Sequence, residues 1–293
     1  MSWALFTVIA AAAQTLRNAL QRDLTTRLGV GSATYVRFLF GFPFALIFLA
    51  LMRTMTGESL PALSPSVWPP VIIAALTQIG ATGLMLQAMR SKSFVVTTAY
   101  IKTEPVLAAL FGLIFLGETL SVPMAIAILI ATGGVVMTAW PKSRFPGGGV
   151  GALVSGLMAA ALFAVSAVFF RAAIHALPSG SFGIRASTIL ALGLFFQSVA
   201  LTLYLALFDR PGLYAILRLW RPSLFAGFMG AAASQFWFLG FALATAGQVR
   251  TLALIEVFFA RIVSGKMFSE KPAPREAFGL VLIVLGVALL FNS

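Results

Sequence analysis

The sequence predicts an all-α membrane protein in which ten transmembrane helices form two inverted repeats of five. Of the 293 residues, 60% are hydrophobic and only 10% are charged, whereas a soluble domain carries about 25% charged residues. Apolar stretches of about 20 residues, the length that crosses a bilayer, follow one another along the chain. An internal repeat relates the two halves of the chain.

The repeat is clearest in residues 98–140 and 250–292, which align at a constant offset of 152 residues. In each copy an acid, Glu104 or Glu256, lies in the middle of an apolar span, and a turn with a second acid leads into another apolar span. Further matches at this offset are Trp68 with Trp220, Pro70 with Pro222, Glu118 with Glu270 and Gly134 with Gly286. We therefore divide the chain into a first repeat, residues 1–145, and a second repeat, residues 146–293.

Ten helical spans are predicted, because hydrocarbon admits only helices or closed barrels, and unbroken apolar runs of this length are helical. They cover residues 2–21, 32–52, 68–89, 94–116, 121–140, 149–170, 181–207, 222–245, 248–268 and 274–291. Proline and glycine mark the joints between spans. The proline- and glycine-rich segment at residues 141–149 links the two repeats.

The basic residues indicate an orientation in the membrane. Twelve of them lie in the loops from an odd span to the next even span, and three, Arg53, Arg171 and Arg250, lie in loops on the opposite side. Because basic residues favour the cytoplasmic side, we expect both termini to lie outside. Five spans per repeat is an odd number, so the second repeat is inverted relative to the first. Inverted repeats recur in secondary transporters, whose substrate site lies near the bilayer midplane.

Three short motifs point to a known family. The sequence FLGETLS at residues 115–121 resembles the LGE-x-L turn of the EamA branch of the drug/metabolite transporter superfamily. EPV at residues 104–106 is similar to the EPV-x-A that precedes this turn, and GGVV at residues 133–136 resembles the end of the branch's fifth span. The second repeat departs from these motifs, with FSE at residues 268–270 and no proline after Glu256.

The resemblance implies ten helices in two inverted sets of five, and export of amino acids or similar small metabolites across the inner membrane of a bacterium. Members of this branch are usually drawn with cytoplasmic termini, which is opposite to the orientation that the basic residues indicate. Two alternatives of other classes are a membrane-embedded transferase and a channel for lipids or solutes. A transferase needs a nucleophile, metal or general-base cluster, and a channel favours a ring of like groups along a pore.

Glu104 and Glu256 are the leading site candidates, because a carboxylate in the middle of an apolar helix is costly and by default functional. One interpretation is that the carboxylate binds a substrate ammonium, or that it binds and releases a proton and so couples export to the proton gradient. The other is an ion pair between the halves that fixes helix packing, with Arg17, Arg37, Arg185 or Arg261 as partner. Lys102 lies two residues from Glu104, so on a continuous helix it points to the opposite face. We favour Glu104 as the functional acid, because Pro105 follows it and can bend the helix.

Further polar residues within the spans complete the predicted site. Gln14, Arg17 and Asn18 make the first span polar and should line a cavity or contact the other half. Arg37 and Arg185 either belong to the site or extend to the headgroups. The full set of binding or coupling candidates is Gln14, Arg17, Asn18, Arg37, Gln78, Tyr100, Glu104, Arg185, Gln235, Trp237 and Glu256. Glu118 and Glu270 are interpreted instead as capping or solvated residues at turns.

Other chemistries find no support in the residues. The chain has no cysteine, and its single histidine, His175, is predicted in a loop with no acidic residue at ligand spacing, so we expect no metal site. Gly147 to Gly149 form a linker rather than a phosphate loop, because no Lys-Ser or Lys-Thr follows them. We therefore expect no cofactor and no enzymatic activity.

The net charge of +12 does not predict a nucleic-acid partner, because the basic residues lie singly or in pairs in short loops. The expected partners are a small-molecule substrate and the lipid bilayer, and a homodimer is left open. The sequence carries no nucleotide-binding motif, so this chain alone is not an ATP-driven pump.

Overall fold

The computed structural model describes residues 2–90, 100–139, 150–259 and 274–291, and these residues form helices and short connections without a β-strand. The helices are α1 (Ser2–Leu39), α2 (Phe42–Thr56), α3 (Trp68–Arg90), α4 (Glu104–Leu116), α5 (Val122–Ala139), α6 (Val150–Ala176), α7 (Phe182–Phe208), α8 (Arg210–Arg218), α9 (Trp220–Leu243), α10 (Ala246–Leu252) and α11 (Pro274–Leu290). The all-α prediction is confirmed. Among the described residues, five helical segments are long and apolar enough to span a membrane, and two further apolar helices are shorter.

The first two predicted spans form one almost continuous helical segment. Gly29 interrupts α1 with φ 81° and ψ 172°, a left-handed φ that residues with a side chain rarely adopt. A second break at Phe40 and Gly41 separates α1 from α2. The predicted span 2–21 therefore corresponds to α1 before Gly29, and span 32–52 corresponds to the end of α1 together with α2.

α8 is a helix where the sequence analysis placed only a loop. Asp209 precedes its first residue as the N-cap, and the Asp209 carboxylate accepts a hydrogen bond of 3.0 Å from the Gly212 backbone N–H. A proline in the first turn favours helix initiation. Ile216 is buried, while Tyr214 and Leu217 are exposed. A helix of this length cannot cross a bilayer, so the search for long apolar runs missed it.

Two predicted spans are interrupted at equivalent positions. In span 94–116 the chain makes a turn at Lys102 and Thr103, and α4 starts at Glu104. In span 248–268, α10 is followed by a 3₁₀ turn, Ala253–Ile255, and helix resumes at Glu256. At the offset of 152 residues, positions 102 and 103 correspond to 254 and 255. Each acid is thus the first residue after a helix break, where the sequence analysis expected the middle of a continuous helix.

The most extensive helix contacts join residues 1–145 to residues 146–293, which we call the first and second halves. α1 packs along α9, α3 along α6, α5 along α11 and α2 against α7. At the offset of 152 residues, α1 in the first half corresponds to α6 in the second, and α3 corresponds to α9. The contact of α1 with α9 is therefore equivalent to the contact of α6 with α3. In the same way α5 corresponds to α11, and α2 corresponds to the end of α7. The contacts of α5 with α11 and of α2 with α7 therefore each join two equivalent elements.

Glycines bring α5 and α11 into backbone contact. A Cβ atom at Gly134 would lie 2.6 Å from the Gly279 carbonyl oxygen, and one at Gly286 would lie 2.5 Å from the Ala131 backbone nitrogen. Real Cβ atoms do not approach other atoms so closely, so any side chain here would force the helices apart. Small residues at helix contacts are typical of membrane proteins, because they let two backbones approach.

Candidate functional site

A cavity lies between the two halves, beside both helix breaks. Its volume is about 60 Å³, which holds on the order of four water molecules. Eight of the predicted site residues line it: Gln14, Arg17, Asn18, Arg37, Gln78, Glu104, Trp237 and Glu256. They come from α1, α3, α4 and α9 and from the turn after α10, so the cavity draws on both halves.

Two ion pairs cross between the halves in this cavity. Arg250 Nε lies 2.8 Å from Glu104 Oε1, and Lys102 Nζ forms an ion pair with Glu256 Oε1. In each pair the acid belongs to one half and the cation to the other. These cations differ from the partners that the sequence analysis named, and Arg261 lies outside the described residues. The prediction erred because it assumed continuous helices and placed Arg250 in a loop, whereas Arg250 is buried in α10.

An amide links Glu256 to the aromatic wall of the cavity. Gln14 Nε2 donates a hydrogen bond of 3.0 Å to Glu256 Oε2, and Trp237 Nε1 donates one of 3.1 Å to Gln14 Oε1. The Arg250 guanidinium carbon lies 4.7 Å from the centre of the Trp237 ring and 5.3 Å from that of Phe241. The cation therefore lies against aromatic rings on one side and a carboxylate on the other, an arrangement that favours a desolvated positive charge.

Arg17 and Arg37 are the other two cations of the cavity. Their exposed fractions are 2% and 3%, so the alternative in which Arg37 extends to the headgroups is wrong. Arg17 Nη2 donates 2.8 Å to Asn18 Oδ1, and Arg37 Nη1 donates 3.0 Å to Thr82 Oγ1. In the part of the chain that the structure describes, neither forms a salt bridge with a carboxylate.

Three predicted site residues do not line the cavity. Gln235 in α9 is buried and donates a hydrogen bond of 2.9 Å to Ser187 Oγ in α7. Arg185 is partly buried in the first turn of α7, and Tyr100 lies partly buried before the break at Lys102. Gln78, which does line the cavity, accepts a hydrogen bond of 2.8 Å from Gln197 Nε2.

The structure adds residues to the cavity that the sequence analysis did not choose: Met85, Ile101, Lys102, Pro105, Phe163, Arg250, Ala253 and Leu254. Lys102 carried the same signal as Glu104, a charge inside an apolar span, and applying one rule to both signs would have found it. Arg250 lies two residues inside a predicted span and was discounted because of the span's boundary. The apolar members carry no sequence signal of their own.

A third ion pair joins the halves, and it lies away from the cavity. Arg171 Nε donates to Glu118 Oε1, and Arg171 Nη1 donates to the Phe241 carbonyl oxygen. His175 Nε2 lies 2.9 Å from the same Nη1. The Glu118 carboxylate is therefore paired across the halves and not solvated, while its backbone N–H donates a hydrogen bond of 3.2 Å to the Gly112 carbonyl oxygen in the last turn of α4. Arg171 and His175, both predicted in loops, lie within α6, and Glu270 lies outside the described residues.

The described residues form a bundle of long apolar helices with charged side chains buried around a cavity, which defines the class: a multi-pass membrane protein. The family comparison agrees. Residues 1–140, just under half of the chain, match the EamA-like transporter family, the family that the motifs at residues 104–106, 115–121 and 133–136 resemble.

Comparison with solved structures concerns the fold alone. Twenty-seven chains of solved structures match. One of them, described as "Crystal structure of protein", is similar to this chain with a TM-score of 0.75 and 17% sequence identity, over 99% of this chain and 95% of that one. No curated protein sequence matches the chain.

Proposed function

We propose that the protein is a secondary transporter that exports amino acids or similar small metabolites by alternating access. The observation that carries this proposal is the cavity between the halves, with an ion pair crossing it at each helix break. Discontinuous helices at the interface of two repeats form the substrate sites of many secondary transporters. Irregular backbone at membrane depth is tolerated only where it is buried in protein or lines a cavity, and both breaks meet this condition.

The proposal includes ten membrane helices in two inverted repeats of five. Helix packing supports it. The contact of α1 with α9 is equivalent to that of α3 with α6 at the offset of 152 residues, while the contacts of α5 with α11 and of α2 with α7 each join equivalent elements of the two halves. A pseudo-two-fold axis between the halves produces this pattern. Both interrupted helices also break at equivalent positions, which two unrelated halves have no reason to do.

Alternating access requires links between the halves that one state makes and the other breaks. The pair of Glu118 and Arg171 is one such link. Another is the hydrogen bond of 2.7 Å that the Ser181 backbone N–H donates to Glu58 Oε2. Glu58 lies in the connection before α3, Glu118 in the connection after α4, and Ser181 in the connection before α7. Arg171 lies near the end of α6, which leads into that last connection. In a five-plus-five topology these connections share one side of the membrane, so the two links close that side together.

For orientation we propose that both termini lie outside the cytoplasm of a bacterial inner membrane. Of the three basic residues assigned to the outer side, Arg171 and Arg250 lie inside helices and make internal contacts, which leaves Arg53. The chain has no native cysteine, so single cysteines at Ser2 and Ser293 can be labelled selectively. A membrane-impermeant maleimide should react with both in intact cells after permeabilisation of the outer membrane only. Reaction only after lysis of the inner membrane reverses the orientation.

Transport itself is tested in proteoliposomes loaded with a panel of amino acids, amines and nucleosides. A carrier should show counterflow, in which unlabelled solute inside accelerates uptake of the same labelled solute. Uptake that ignores the solute on the far side indicates a channel instead. Conversion of the solute into a new covalent product indicates a transferase. Protein-free liposomes are the control, and an absence of transport for the whole panel contradicts the proposed substrates.

A further inference from the structure

The cavity holds more positive than negative charge. Its described lining includes four cationic side chains and two carboxylates: Arg17, Arg37, Lys102, Arg250, Glu104 and Glu256. Lys102 and Arg250 each pair with one of the acids, so both carboxylates are engaged. The two charges in excess belong to Arg17 and Arg37.

These two arginines are buried with donor groups unused. Among the described residues, Arg17 Nε and Nη1 and Arg37 Nε find no hydrogen-bond partner, although each atom is buried. A buried charge without a counter-charge is strongly unfavourable, and an unsatisfied buried donor adds the cost of its lost hydration. An anion in the cavity would remove both costs at once.

The backbone of α9 brings the two arginines together. A Cβ atom at Gly230 would lie 3.1 Å from Arg37 Cγ and 3.6 Å from Arg17 Cδ, so both side chains pass over the same glycine. Asn18 and Thr82 each occupy one terminal nitrogen of an arginine, which fixes its direction. Oriented guanidinium groups match the oxygens of a carboxylate or a phosphate, which they bind with paired hydrogen bonds.

We propose that Arg17 and Arg37 form an anion subsite, and that the transported solute carries a carboxylate or a phosphate group. The transport part rests on the proposed function, whereas the binding part does not. Met85 and Phe163 supply an apolar wall in the same cavity, which suits a solute with an apolar remainder. The subsite also changes the role expected of the glutamates, because neither is free to receive a substrate ammonium in this state.

The test compares anionic and neutral members of matched pairs for binding to the purified full-length protein in detergent. The pairs are succinate with succinamide and 3-phenylpropanoate with 3-phenylpropanamide, and inorganic phosphate is a further probe. Binding is read from the rise in melting temperature as each probe is titrated to millimolar concentration. At least one anionic probe should bind about tenfold or more tightly than its neutral match, because charge-assisted hydrogen bonds are lost in the amide. Arg17→Gln and Arg37→Gln should each remove the preference, and Arg53→Gln, at an exposed arginine, should keep it.

Protein without ligand provides a second measurement that separates binding from folding. Because no carboxylate in the described part of the chain pairs with the buried Arg17, Arg17→Gln should melt at the same or a higher temperature than the native protein, whereas a structural arginine gives a lower one. Arg17→Lys, which keeps the charge, should retain part of the preference. Equal binding of both members of every pair, binding of no probe, or a preference that survives in both glutamine variants overturns the subsite.

Two further arms identify the source of the anion and separate this proposal from the proposed function. If phosphatidylglycerol competes with the soluble anions and these are not transported, the subsite binds lipid headgroups, and the part of the proposal that concerns the solute is wrong. Counterflow of neutral or cationic solutes alone leaves the transporter function intact and overturns the anion subsite. Binding of anions without transport of any solute supports the anion subsite and overturns the proposed transporter function.

Discussion

Glu104 and Glu256 occupy equivalent positions in the two halves, yet their surroundings differ. Glu256 forms an ion pair with Lys102 and also accepts a hydrogen bond from Gln14. Glu104 lies 2.8 Å from Arg250 Nε, but the N–H is not aligned with the carboxylate, and no donor among the described residues forms a hydrogen bond to Glu104 Oε1. Glu256 is therefore held by two groups, and Glu104 by one group that also contacts two aromatic rings.

The comparison teaches that the backbone repeats while the charges do not. In both halves the helix breaks just before the acid, but the residue equivalent to each cation in the other half is uncharged. Lys102 corresponds to Leu254 at the offset of 152, and Arg250 corresponds to Thr98. The two halves thus share the same backbone arrangement, in which Glu256 is held firmly and Glu104 is less constrained. The substitutions below test this division of roles.

The largest effect is expected at Glu104. Glu104→Gln should abolish transport driven by a proton gradient, because an amide cannot release a proton, while the protein still inserts and folds. The measurement is uptake into proteoliposomes with and without an imposed gradient, from mildly acidic to mildly alkaline pH. Asp23→Asn, which removes an exposed carboxylate, is the matched control. Native rates for Glu104→Gln across this range make Glu104 structural and end the coupling hypothesis.

Glu256→Gln should instead weaken the fold. It leaves Lys102, whose side chain is only 20% exposed, without its partner, and breaking a buried pair from one side costs about 3 kcal/mol. The melting temperature in detergent should fall, and the double variant Glu256→Gln with Lys102→Met should recover most of the loss, because both charges are then gone. A stable Glu256→Gln that fails to transport would exchange the roles of the two acids.

A smaller effect, equal in the two halves, is expected at the contact of α5 with α11. Gly134→Ala and Gly286→Ala should each destabilise the protein by about 1–3 kcal/mol, the cost of overpacking. Gly133→Ala is the control one residue away, where a Cβ atom meets nothing within 4 Å, and it should be neutral or slightly stabilising. Thermal unfolding measures all three. A large difference in the loss of stability between Gly134→Ala and Gly286→Ala would show that these two geometrically similar contacts contribute unequally to the free energy of unfolding.

The smallest effect concerns Gln14, which belongs to the first half but supports the acid of the second. A cysteine at position 14 should react with small water-soluble thiol reagents, because Gln14 is partly exposed and lines the cavity. A transported solute should slow the reaction about severalfold by occupying the same space. Cysteine at Asn18 provides a second position on the same helix. Rates that no transported solute changes at either position place α1 outside the solute's path.

Long apolar runs made most of the fold predictable, because only a helix satisfies the backbone in hydrocarbon. The breaks at Lys102 and at residues 253–255 were not predictable from apolar periodicity. They interrupt the backbone without interrupting the hydrophobic pattern, and Pro105 marks only one of them. α8 was missed for the opposite reason, because its pattern is too polar and too short to register as a span.

The candidate site was predictable where a polar residue lies inside an apolar run, as with Gln14, Arg17 and Glu104. The pairing of its charges was not, because partners follow from which helices cross and at what depth. Lys102 was judged on an unbroken helix, and Arg250 by its distance from a predicted span boundary. Both judgements used local geometry, whereas these ion pairs join residues far apart in the sequence.

The contact between Arg250 and Trp237 has an optical consequence. Indole emission shifts with the charges and hydrogen bonds around the ring, and Trp237 has a guanidinium 4.7 Å from its centre and a hydrogen bond to Gln14. Any event that moves Arg250 or Gln14 therefore changes its fluorescence. Replacement of the other four of the five tryptophans by phenylalanine leaves Trp237 as the single tryptophan, and its emission, excited at a wavelength that tyrosine does not absorb, reports occupancy of the cavity in real time without an attached dye.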